Sequence, residues 1–187
     1  QCGASIRGSP VSKPGEVTGL RVAPTIGPLG PGHDRAAFRC GEPALDTYIR
    51  ERAAQDVKRR VAQIFVANGN APGEIAGYYT LSAAGFARDD LPAEASKRLP
   101  RYPVPAAIIG RLAVAEAYEG QKLGAFLLID AVNRVLGAST ALAVYAVIVD
   151  AKNKEAERFY KHFGFEPFPK KTSRLFLPLD VFVKAGL

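Results

Sequence analysis

The sequence predicts an α/β protein whose central mixed sheet carries helices on both faces. Three observations predict it. Two apolar runs in the first half, 61–67 and 74–84, flank a turn of Asn, Gly and Pro, as in an antiparallel hairpin. The second half alternates strand and helix patterns in the order β-α-β-α-β. The run 141–149 is apolar nearly throughout, as expected of a strand covered on both faces.

Taken in order, residues 1–15 are small, polar and rich in Gly and Pro, which predicts a flexible tail. Residues 17–22 read as a first strand, and 24–32, punctuated by three Pro and three Gly, as a loop. Ala44, Leu45, Tyr48, Ile49 and Arg52 fall at helical spacing after Pro43, which suits a first helical position; this helix is expected to run to about Arg59. The hairpin follows. The polar, basic connection 91–102 has room for one helical turn, and 106–114 is a strongly apolar strand. Leu123, Leu127, Leu128, Ala131 and Val135 mark the next helix. After the strand at 141–149, Asn153 opens a further helix, and 174–179 is a last strand. No internal repeat or second core is visible, so 16–187 is expected to be a single domain. A chain of 187 residues buries roughly 70% of its unfolded surface, enough for one core.

Composition narrows the function. A formal charge of +7 favours an anionic partner such as nucleic acid, CoA phosphates or an acidic peptide, or else is only a basic surface. Cys2 and Cys40 make no disulfide framework, and with His33 and His162 they show no metal-ligand spacing, so no metal is expected. A reducing compartment fits. No apolar run approaches the ~18 residues of a membrane span. The opening Gln1-Cys2-Gly3-Ala4-Ser5 lacks a basic stretch leading into an apolar core, so no signal peptide is expected. The expected location is cytoplasmic.

Two motifs carry chemistry. The first is Arg111-Leu112-Ala113-Val114 followed by Gly120-Gln121-Lys122-Leu123-Gly124-Ala125: strand, Gly-containing turn, new helix. A helix start exposes unpaired N–H groups and a positive dipole end, so this turn either holds a pyrophosphate or merely connects two elements. It is neither a Walker loop nor a dinucleotide fingerprint. The second reads N-x-x-A-x-x-F-Y-x-x-x-G-F from Asn153 to Phe165. Ala156, Phe159, Tyr160 and Phe163 share one apolar helix face, and Gly164 supplies the left-handed residue that ends such a helix. Tyr160 is either a core residue with a satisfied hydroxyl or a general acid for a thiolate leaving group.

These two motifs resemble the cofactor half of the GNAT N-acetyltransferases. Further pieces resemble the acetyltransferase toxins of bacterial toxin–antitoxin modules: Phe38-Arg39-Cys40-Gly41-Glu42-Pro43-Ala44-Leu45-Asp46, Gly77-Tyr78-Tyr79-Thr80-Leu81, and Pro103-Val104-Pro105 before Arg111. The resemblance spans His33 to about Leu179. It implies a GNAT fold with a mostly antiparallel sheet, acetyl-CoA as donor and the α-amine of aminoacyl-tRNA as acceptor. It also implies a ribbon-helix-helix antitoxin, a homodimer and blocked translation. Residue by residue, the backbone of Leu112, Ala113 and Val114 would meet the acetyl group and pantetheine. The amides of Gly120, Gln121, Lys122, Leu123, Gly124 and Ala125 would take the pyrophosphate, Asn153 the CoA arm, and Tyr160 would be the acid. The family loop reads Arg/Gln-x-x-Gly-x-Gly/Ala. Here Glu119 stands first, and Lys122 replaces the middle Gly.

Three basic clusters centre on Arg59, on Arg98 with Arg101, and on Lys171. They are either solvated faces or a surface that tracks tRNA phosphates. No general base announces itself. An α-amine, with a pKa near 8, needs less help than a Lys amine near 10.4, which favours an aminoacyl acceptor. Two other readings stand beside this one: an acetyltransferase of a small-molecule amine or a protein N-terminus, and a non-catalytic CoA-fold module.

Overall fold

The structure, a computed structural model, describes residues 24–97 and 99–185. The expected tail at 1–15 and the expected strand at 17–22 lie outside these residues.

The described strands are β1 (Ile26–Pro28), β2 (Gln63–Asn68), β3 (Ile75–Phe86), β4 (Val104–Val114), β5 (Ala146–Asp150), β6 (Glu166–Phe168) and β7 (Lys171–Pro178). They form one sheet in the order β1-β2-β3-β4-β5-β7-β6. Every neighbouring pair is antiparallel except β4 and β5. The sheet is therefore mixed and mostly antiparallel, and the hairpin expected from the turn at 68–73 is β2–β3.

Residues Pro43–Lys58 make one helical run in three parts: α1 (Pro43–Thr47), a π-helical turn (Tyr48–Arg52) and α2 (Ala53–Lys58). Pro43 occupies the first turn, where its missing N–H costs nothing. The remaining α-helices among the described residues are α3 (Ala93–Ser96), α4 (Leu123–Ala138), α5 (Lys154–His162) and α6 (Leu179–Ala185).

Alternation along each strand feeds cores on both faces. Tyr79, Ile109, Val147, Val149, Leu175 and Leu177 face Leu127, Leu128, Tyr160 and Phe182 from α4, α5 and α6, and Phe163 at the end of α5. On the other face, Tyr78 and Ile64 pack with Tyr48 and Ile49 of the first helical run. Ile148 and Phe176 pack there with Phe86 and Leu91.

Two expectations are corrected. The loop at 24–32 contains β1, because this short edge segment pairs with β2 and an edge tolerates Pro28. The strand expected at 141–149 begins only at Ala146. The N–H groups of Ala141 and Leu142 instead close onto the carbonyl of Ala138 at the end of α4, leaving Leu142 65% exposed.

The feature that positions the site is a splay between β4 and β5. Their parallel pairing stops at Ile109 and Val149. At that point Gly110 is an extra residue in β4: Arg111 pairs with Thr80 and Ile109 with Leu81. Such a bulge bends its strand. From Arg111 to Val114, β4 is paired only with β3.

Candidate active site

The splay leaves backbone groups open. The N–H of Ala115 donates to the carbonyl of Ala76 at 2.8 Å, on the β3 side. By alternation Ala113 and Arg111 also turn their polar backbone groups to β3. Leu112 and Val114 turn theirs to the side that β5 has left. Ala113 is thereby withdrawn from the opening, with its side chain buried among Tyr48 and Tyr78.

The glycine turn lies over this opening. Gly120 has φ +72° and Lys122 has φ 60°, a left-handed conformation that a glycine would take without strain. Lys122 stands at the N-cap of α4 without a side-chain cap bond. The amide of Ala125 closes onto the carbonyl of Lys122 at 3.0 Å, while the amides of Leu123 and Gly124 head the helix. A Cβ added at Gly124 would stand 3.7 Å from Val114, 3.9 Å from Phe159 and 4.0 Å from Leu112, so turn, β4 and α5 converge there.

Between α4 and α5 this convergence leaves a cleft of about 630 Å³. Val114, Gly120, Lys122, Leu123, Gly124 and Ala125 line it as expected, and so does Glu119. Tyr118, Glu155, Phe159, His162 and Phe163 line it too. The spacing of Glu155, Phe159 and His162, four and three residues apart, was the available signal for these helix residues. Gln121 is exposed and donates to the carbonyl of Ala117 at 3.3 Å. Side-chain charge in the cleft is mixed: Glu119 and Glu155 against Lys122. The positive end of α4 is the remaining attraction for an anion.

Asn153 caps α5. Its Oδ1 accepts from the N–H of Ala156 at 2.8 Å, which leaves the side-chain NH2 as its donor. The other end of α5 fixes Tyr160. Gly164, at φ +86°, closes onto Lys161 at 3.0 Å, and the N–H of Phe165 returns to the carbonyl of Tyr160 at 3.2 Å. This pair of bonds is a Schellman motif, and the Tyr160 and Phe165 rings pack 5.6 Å apart across it. Tyr160 is 8% exposed. Burial, with a smaller push from the charge of Asp150, raises its phenol to about 12, so it keeps its proton near neutrality. Its hydroxyl has no hydrogen-bond partner among the described residues, yet none of their enclosed side-chain oxygens lacks one, so this hydroxyl reaches accessible surface. Asp150 ends β5 at the splay and is held by Arg174 at 2.7 and 2.8 Å.

Residues 60–167 match the profile of the acetyltransferase (GNAT) domain. The chain is a GNAT acetyltransferase. It is 35% identical over 144 residues to the tRNA-acetylating toxin of Mycobacterium tuberculosis (strain ATCC 25618 / H37Rv), covering 77% of this chain and 85% of that protein. Among solved structures, AtaT complexed with acetyl-methionyl-tRNAfMet superposes with a TM-score of 0.81 at 30% identity, covering 87% of this chain and 99% of that one. A mutant AtaT toxin bound to the C-terminus of the antitoxin AtaR and to acetyl-CoA gives 0.73 at 28% identity, covering 86% and 96%. The seven-stranded sheet with its splayed β4 and β5 is thus the GNAT fold.

The expected basic residues sit in separate segments of this acetyltransferase. Arg59 is exposed at the end of α2. Arg101 is exposed before β4, at the end of that strand away from the splay. Lys171 opens β7 near the splay, though its side chain and all of Arg98 lie outside the described residues. Arg174, three residues after Lys171 in the same strand, is engaged by Asp150. Among the described residues no His, Cys, Asp and Glu group could hold a metal, and no helix is long and apolar enough to cross a membrane.

Proposed function

We propose that this acetyltransferase is a toxin that moves the acetyl group of acetyl-CoA to the α-amine of aminoacyl-tRNA and so blocks translation. The observation that carries the reading is the conjunction at the splay: open Leu112 and Val114 amides, the uncapped start of α4, and a protonated Tyr160 near the end of β5. The likeness to a tRNA-acetylating toxin, and to AtaT in its acetyl-methionyl-tRNA complex, supports the choice of acceptor.

The residues present fit acetyl-CoA. Leu123 and Gly124 amides, at the positive end of α4, hold the pyrophosphate, with the flanking amides of Gly120 to Ala125. Phe159 and Val114 cover the pantetheine arm, and the Asn153 amide group donates to it. Leu112 and Val114 N–H groups stabilise the oxygen that becomes negative when the amine attacks the thioester carbon. As the carbon–sulfur bond breaks, the Tyr160 hydroxyl gives its proton to the sulfur. The attacking amine then loses a proton, which restores the phenol through water. Arg59, Arg98, Arg101 and Lys171 serve as backbone contacts for the tRNA.

The same reading assigns the chain a ribbon-helix-helix antitoxin, a homodimeric state, residues 16–187 as one catalytic domain and a cytoplasmic site of action. It is tested in cell-free translation. Protein plus acetyl-CoA should stop synthesis, and fresh aminoacyl-tRNA should restore it. Inhibition that does not need acetyl-CoA, or that fresh aminoacyl-tRNA fails to relieve, contradicts the reading.

A further inference from the structure

The acetyl-transfer chemistry just described uses the face of β4 covered by α4 and α5. The opposite face carries a group with no role in it. Arg111 lies there half-buried, its guanidinium carbon 3.6 Å from the centroid of the Tyr48 ring. Arg134 and Arg174, comparably buried, each hold a carboxylate at 2.7 Å. Arg111 holds none among the described residues, and its guanidinium makes no hydrogen bond to them. Two acids of the first helical run are held by other groups: Asp56 accepts the Tyr48 hydroxyl at 2.9 Å, and Asp46 accepts the N–H of Cys40 at 2.9 Å.

A guanidinium is permanently charged and carries five donors in a planar fork. Stacking on Tyr48 fixes that plane and leaves its edges for an acceptor. The platform is itself unusual, because Tyr48 opens the π-helical turn inside the first helical run, and such turns concentrate at functional sites. Position completes the argument. Arg111 follows the Gly110 bulge and precedes Leu112, so it stands across the strand from the cofactor cleft. The cleft between α4 and α5 is taken by acetyl-CoA in the reading above, which leaves the Arg111 side of β4 for the acceptor.

We propose that Arg111 grips the phosphodiester next to the aminoacylated 3′-terminal nucleotide and so sets the α-amine against the thioester. This inference rests on the aminoacyl-tRNA reading above. The test compares two minimal acceptors, 3′-aminoacyl-adenosine with and without a 5′-phosphate, alongside aminoacyl-tRNA. The wild-type protein should show a KM about 10–100-fold lower for the phosphorylated compound, the size expected of a charge-assisted hydrogen bond. Arg111→Gln should bring the two KM values together and raise KM for aminoacyl-tRNA, with acetyl-CoA binding unchanged. Arg111→Lys should keep an intermediate preference, since it retains the charge without the fork. A wild-type protein indifferent to the phosphate overturns the proposal, and so does a preference that survives Arg111→Gln. Should Arg111→Gln fail to fold, the wild-type ratio and the Arg111→Lys ratio decide. A protein that acetylates tRNA but ignores the phosphate refutes Arg111 alone, whereas one that acetylates only unrelated amines refutes the function and Arg111 together.

Discussion

Tyr160 is the residue on which the proposed chemistry rests. Its ring belongs to the core, as an apolar helix position demands, and its hydroxyl is left for another partner. The sequence alone allowed either role; the structure packs the ring and leaves the hydroxyl without a partner among the described residues, with the Gly164 turn locking the residue in place. Tyr160→Phe keeps the ring and removes only the acid. Turnover should fall about 10²–10⁴-fold while melting and acetyl-CoA binding stay near wild type. Turnover that survives would leave Tyr160 as packing alone. A pH profile tests the same residue from another side. With the phenol pushed up to about 12, it stays protonated throughout the working range. The limb that remains is the acceptor's own: kcat/KM should rise through about pH 8 as the α-amine loses its proton, then hold level to about pH 9. A fall between those two values would place an ionising acid there and remove Tyr160 from the role. Arg111 lay plainly inside a quoted motif, but its stacking on Tyr48 joins residues 63 positions apart, and no local pattern reports such a contact.

At the scale of elements, what was local in the chain was legible. Asn153 and Gly164 bound α5 as their side chains and conformations dictate, and the Leu-rich spacing from Leu123 gave α4. What depended on partners was not. β1 is three residues of an apparent loop that becomes a strand only because the β2 edge is there to pair with it. The π turn at Tyr48–Arg52 and the splay of β4 from β5 likewise have no signature of their own in the spacing of apolar residues. The glycine turn before α4 was legible in outline and in its departures: Lys122 does adopt the left-handed conformation that suits a glycine. Glu119 lines the cleft with a charge that opposes phosphate. Glu119→Gln should therefore tighten acetyl-CoA binding about 3–10-fold at low salt, with the gain shrinking as salt screens the pair. Calorimetry showing unchanged or weaker affinity would mean that this carboxylate points away from the phosphates. Asn153→Ala removes the cap bond at 2.8 Å and should cost about 1 kcal/mol, a melting shift of about 2–4 °C for a chain this size. A shift within error would show that the cap contributes nothing to α5.

Across the whole molecule, the charge of +7 and the fold make separate contributions. The fold supplies the acetyl-transfer site. The charge, carried in part by Arg59 at the end of α2 and Arg101 before β4, both exposed, suits a long polyanion better than a small amine. Contacts to phosphates release counterions, so the rate with aminoacyl-tRNA should fall at least about tenfold between about 50 and 200 mM salt. A flat salt response with full tRNA acetylation would refute the basic-surface part and leave the chemistry standing. The identity of the acceptor is settled by a competition experiment. The protein is incubated with labelled acetyl-CoA and bulk aminoacyl-tRNA in the presence of polyamines, an aminoglycoside and a peptide with a free N-terminus. The amino acids are then released from the tRNA by base. Label should appear as N-acetyl-amino acid from the tRNA fraction, and its rate of appearance should fall about 10²–10⁴-fold with Tyr160→Phe. Label found only on the polyamines, the aminoglycoside or the peptide N-terminus would contradict the account.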